Sequence, residues 1–149
     1  MQTILKKYLV LYVAALIMLV FSGCSTIRLI ADYDEQTDIA VTQFQRKTEQ
    51  FLIMLERNVG TDEASYSRNT KFYDEAKVDL SAVRVRAVAI PDNDRTVQQL
   101  DLLSDTLGDL EKLHKLGISA NDIPPIRTAL NVSCTAILKL ELAKKRGKS

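Results

Sequence analysis

The chain has 149 residues, with 20 Lys and Arg against 19 Asp and Glu, one His, two Cys and no Trp. That length suits a single domain, and a net charge of +1 offers no field for gripping nucleic acid. One His and two Cys are too few for a zinc finger or a disulfide scaffold, and an aromatic content of 6% leaves the core to aliphatic side chains.

The first 23 residues differ from the rest. Lys6 and Lys7 form a short positive region, and Tyr8 to Phe21 follow without a charge. Such a run fits the apolar part of a secretory signal and falls short of the roughly 20 residues a membrane-spanning helix needs. Ser22 and Gly23 then lead to Cys24.

Phe21-Ser22-Gly23-Cys24 resembles a bacterial lipobox, with Phe21 standing where Leu is usual. The resemblance implies that residues 1–23 are a lipoprotein signal peptide, cut just before Cys24. It further implies that the Cys24 thiol is diacylated and the new amino terminus acylated with a fatty acid such as palmitate. Several acyl chains, at about 0.8 kcal/mol per buried CH₂, make such an anchor effectively permanent. Ser25, being other than Asp, resembles the pattern that sorts lipoproteins to the outer membrane, facing the periplasm. Residues 24–34 are then the lipidated Cys and a tether, and Cys134 is the one thiol left free.

Beyond the tether, helical periodicity dominates. From Glu35 to about Asn58, the positions Thr37, Val41, Phe44, Thr48, Phe51 and Leu55 mark the seam of an amphipathic helix. Asp34, Glu35 and Asp38 favour its start, and Gly60 suits a left-handed turn after it. A second helix is expected from about Glu63 to Ile90, with Phe72, Ala76, Leu80, Val83, Ala87 and Ile90 facing inward. Val83-Arg84-Val85-Arg86-Ala87 alternates like a strand, yet no other segment offers that strand a partner, so helix is preferred.

Pro91 ends the second helix, and Asp92, Asn93 and Asp94 are candidate caps for a third. Its seam is Leu100, Leu103, Leu107, Leu110 and His114, supported by Val97 and Leu113, with Gly117 placed to close it. A fourth helix begins near Ser119 to Asp122, tolerating Pro124 and Pro125 in its first turn. Ile126, Leu130, Ser133, Ile137 and Leu140 form its expected inner stripe, widened by Leu138 and Leu142. The expected domain is therefore all-α, an antiparallel four-helix bundle over residues 35–146, up-down-up-down, with residues 147–149 as a basic tail. A helical hairpin pair completed by dimerisation is the alternative architecture.

The search for chemistry returns little. Glu111-x-x-His114 has the spacing of a di-iron half-site, but one His supplies half of such a site at most, so a satisfied structural His is expected. Haem would have to pair Met54 with His114, and a core-filling Met is the simpler reading. Cys134 reads as a small buried apolar residue and Ser133 as a small contact residue. Five Gly include no phosphate loop. Lys144-Lys145-Arg146-Gly147-Lys148 reads mainly as a solvated helix end, secondarily as a contact for anionic lipid or polymer.

No catalytic residues, metal or cofactor are expected. The expected function is that of a non-enzymatic module, lipid-anchored in the cell envelope, that binds or supports another envelope protein. The alternative is a carrier enclosing lipid, haem or metal, its cavity lined by Ala76, Ala87 and Ser133.

Overall fold

A computed structural model describes residues 31–147. The signal peptide, the lipobox residues Phe21, Ser22 and Gly23, and Cys24 lie outside the described residues, as do Lys148 and Ser149.

Among the described residues the chain forms four α-helices: α1 (Glu35–Asn58), α2 (Tyr66–Val88), α3 (Asp94–Leu116) and α4 (Ile123–Arg146). A single 3₁₀ turn, Asp62–Ala64, precedes α2. Each helix packs on its two neighbours, α4 closing the ring against α1. Arg84 meets Asp101 and Lys77 meets Glu111, so α2 and α3 run in opposite directions. Arg86 with Asp34 and Lys47 with Asp79 establish the same for α1 and α2. The result is the antiparallel up-down-up-down bundle, about 35 Å long at 1.5 Å per residue. None of the described helices is long and apolar enough to cross a membrane.

α1 follows its sequence pattern closely. Asp34 caps it by accepting a hydrogen bond from the Thr37 N–H at 3.2 Å, and every expected seam residue is buried, with Leu52 added. Gly60 and Gly117 take φ of 84° and 101°, the left-handed conformations that Gly tolerates at helix ends. α2 begins later than expected because the 3₁₀ turn occupies residues 62–64.

The inner face of α2 centres on Tyr73, which is fully buried, whereas Phe72 and Ile90 are only partly so. The core is aliphatic through most of its length, as the composition suggests. Four of the six aromatic rings among the described residues nevertheless gather towards one end of the bundle. Phe51 stacks on Phe72 with centroids 3.7 Å apart and meets Tyr73 edge-on at 5.5 Å, while Tyr73 and Tyr66 each lie within 5.8 Å of His114.

The fourth helix departs most from expectation. Its buried line is Ile123, Leu130, Cys134, Ile137, Glu141 and Lys144. Ser133 and Leu140 are only partly buried and Leu142 is 46% exposed. Lys144 therefore does not belong to a solvated basic end, because Glu141 beside it supplies the opposite charge within the bundle.

Candidate functional site

The start of α1, the end of α2, the start of α3 and the end of α4 come together at one end of the bundle, where the chain enters at residue 31. Two backbone groups fix that segment. The Ala31 N–H donates to the Asp92 carbonyl at 3.2 Å, and the Asp34 N–H donates to Glu141 Oε2 at 3.1 Å. Asp92 presents its carbonyl from a turn with φ of 58°, a conformation Asp tolerates better than most residues.

Behind this contact lies a buried polar cluster. Lys144 Nζ donates to Asn93 Oδ1 at 2.6 Å, Thr96 Oγ1 at 2.9 Å and Glu141 Oε1 at 2.6 Å. An ammonium has three N–H donors, so all are satisfied. Glu141 also accepts from the Thr96 hydroxyl at 3.2 Å. Asn93 stands at the start of α3, but its side chain does not cap that helix. Its amide donates instead to the Ala87 carbonyl at 2.9 Å, tying the end of α2 to Lys144.

Beside the cluster, Arg86 grips Asp34 through two bonds of 2.6 Å. The Arg86 guanidinium, aided by Thr37, holds the Asp34 carboxyl down at about 2 despite its burial. A shallow groove of about 220 Å³ opens next to Lys144, lined also by Asp92, Asp94, Arg95 and Leu140. Of the remaining basic run, Lys145 lies 5.0 Å from the Tyr33 ring centre, a cation–π contact that covers the same segment.

The opposite end of the bundle holds the other expected residues. His114 is buried, with Nε2 2.7 Å from the Ala64 carbonyl and Nδ1 2.8 Å from the Tyr73 hydroxyl. A carbonyl only accepts, so Nε2 carries a proton, and in the neutral ring Nδ1 accepts from Tyr73. Burial, reinforced by the Glu111 charge, pushes the Tyr73 phenol well above its ordinary range and keeps it protonated.

Glu111 is buried, but it does not join His114 in a metal half-site. It accepts from Tyr66 at 2.8 Å and pairs with Lys77 at 2.6 Å and Lys115 at 3.2 Å. Burial alone would raise its carboxyl, yet these three partners outweigh that and hold it at about 2. Among the described residues, no three His, Cys, Asp or Glu gather as metal ligands.

Cys134 sits in the core, and desolvation pushes its thiol up to about 11, so it is a poor nucleophile in the folded protein. Ala76 and Ala87 are fully buried within the contiguous core, where they admit close helix contact. Among the described residues, Arg127 Nε is the one buried side-chain nitrogen or oxygen without a hydrogen bond, although it lies 2.9 Å from Glu49 Oε1.

Sequence reasoning missed Glu141 because it sought apolar residues on the inner stripe. The available signal was Glu141-x-x-Lys144 carrying the spacing of Cys134 and Ile137 onward, with opposite charges one turn apart. Comparison with protein-family models, characterised proteins and solved structures finds no match to this chain, so its functional reading rests on its own residues.

Proposed function

We propose that this protein is a lipid-anchored module of a bacterial cell envelope, acylated at Cys24, whose helical bundle binds or supports another envelope protein without catalysing a reaction. The lipobox-like sequence through Cys24 supports the anchor, and Ser25 after it supports an outer-membrane location facing the periplasm.

The observation that carries the module reading is the way residues 31–34 are built into the bundle. Asp34 alone links α1 to Arg86 of α2 and to Glu141 of α4. Tethered domains normally depend on exposed linkers for orientation. Here residues 31–34, the end of the expected tether, are fixed to the bundle, so only residues 25–30 separate the bundled segment from the acylated Cys24. The two buried carboxylates at this end, Asp34 and Glu141, are each neutralised by a cation, an arrangement suited to structure rather than to acid–base work.

The test has two parts. Cys24→Ala abolishes palmitate labelling and leaves a precursor that retains its signal, whereas labelling equal to the parent chain overturns the anchor. Brief crosslinking in cells, followed by purification and mass spectrometry, then recovers one dominant envelope protein. A purified chain that carries only a small molecule would favour the carrier instead.

A further inference from the structure

α2 is apolar on two faces. One buries Tyr73, Ala76, Leu80, Val83 and Ala87 in the core. Directly across the helix lie Val78, Ala82, Val85 and Ala89, spaced 4, 3 and 4 residues apart and all exposed. Val78 and Val85 are each 67% exposed. Ala89 belongs to the same line because it keeps right-handed helical angles and donates to the Val85 carbonyl. A continuous apolar seam rimmed by charge, on a helix already packed on its other side, marks an interaction surface.

We propose that this outward face of α2 pairs with the same face of a second copy of this chain, the two helices running antiparallel. The seam is complementary to itself in that direction alone. Antiparallel pairing sets Val78 against Ala89 and Val85 against Ala82, so every layer joins a large residue to a small one and the helices approach closely.

The charges agree. Asp79 and Arg86 lie one heptad apart on the same flank of the seam, with side chains 47% and 50% exposed. The antiparallel arrangement places Asp79 across from Arg86 of the second copy, and by symmetry the reverse. Both groups keep their partners on α1, Lys47 and Asp34, and extend those pairs across the interface. Parallel pairing would set Asp74 against Asp79 and stack Val on Val and Ala on Ala. The contact is small, so the pair is weak in dilute solution and favoured where copies are concentrated. It does not depend on the lipid anchor.

The test is crosslinking of the full chain in intact producing cells, whichever fraction the chain occupies. Ala82→Cys, close to the proposed two-fold axis, is treated with a short bismaleimide. Two controls run beside it: the unsubstituted chain, which reports any reaction at Cys24 or Cys134, and Lys139→Cys on the outer face of α4, which reports random collision. The expected result is a band of doubled mass, at least about tenfold stronger for Ala82→Cys than for either control. Adding Val85→Asp or Asp79→Lys to Ala82→Cys reduces that band about tenfold, and adding Val132→Asp on α4 leaves it unchanged. A band no stronger than the controls, one that survives Val85→Asp, or one whose mass shows a different protein overturns the proposal.

Discussion

Glu141 and Lys144 form an ion pair of 2.6 Å within a single helix, and their side chains are 0% and 3% exposed. Both charges are almost wholly withdrawn from water, and the stability of the pair comes from its surroundings. Asn93, Thr96 and the Asp34 N–H occupy the remaining donor and acceptor positions. A buried pair of this kind contributes little net stability over an apolar replacement, but breaking it is costly.

Lys144→Met therefore destabilises the protein by about 3–5 kcal/mol, because it strands the Glu141 carboxylate in the core. The double variant Glu141→Leu with Lys144→Met recovers most of that loss. Urea denaturation of the parent chain, Glu141→Leu, Lys144→Met and the double variant gives the coupling directly. A double-variant loss equal to the sum of the two single-variant losses would show that the two charges act independently.

Acid sensitivity follows from Asp34 and Glu111, each held at about 2 in the folded protein. Both values are depressed below the ordinary 3.8 and 4.5, so their contribution is complete above about pH 5. It is lost as pH falls through about 4 towards 2, when the carboxylates must be protonated. Arg86 and Lys77 are about half exposed, so water screens both pairs and each is worth about 1 kcal/mol. Asp34→Asn and Glu111→Gln each lower stability at pH 7 and flatten its decline between pH 5 and 2. Denaturation midpoints across that range measure both effects.

Tyr73→Phe removes the hydroxyl that meets His114 Nδ1 at 2.8 Å and leaves a buried ring nitrogen without a partner. The expected cost is about 1–3 kcal/mol, with helix content unchanged. Adding His114→Leu to Tyr73→Phe reduces the additional loss by removing the stranded group as well. A double-mutant cycle by chemical denaturation tests this, and strictly additive losses would show that the two side chains do not depend on each other.

How far the fold was legible depends on what each helix buries. In α1 the inner face is apolar or Thr at every step, and a 3.6-residue period locates it to the residue. In α2 only the first seam position moves, from Phe72 to Tyr73: both are aromatic, but Tyr73 keeps the stepping of Ala76, Leu80, Val83 and Ala87 and meets His114 through its hydroxyl. The strand-like alternation of Val83 and Val85 also has a physical source. Val83 faces the core and Val85 the outer seam, so two apolar faces on one helix mimic a period of two.

In α4 an apolar template slides past Glu141 and Lys144, since burial of a charge becomes visible only when its neutralising partners are in place. The same holds for Asp34. Its role as a helix cap was legible from position, while its grip on Arg86, 52 residues away, was not. The lipobox-like residues are readable from local sequence alone, and they lie outside the described residues.

Because the four described helices alternate in direction, residues 31 and 147 lie at the same end of the bundle, with Asp34 at the start of α1 touching Glu141 near the end of α4. This gives the domain a direction of mechanical weakness. Tension applied between residues 31 and 147 peels α1 from α4 bond by bond, starting at the Ala31–Asp92 and Asp34–Glu141 contacts. Tension applied between residue 31 and a load on the far end is instead carried along the helix axes, in shear across whole packed faces. The same bundle thus opens readily to a pull between its own ends and resists a pull transmitted through its length.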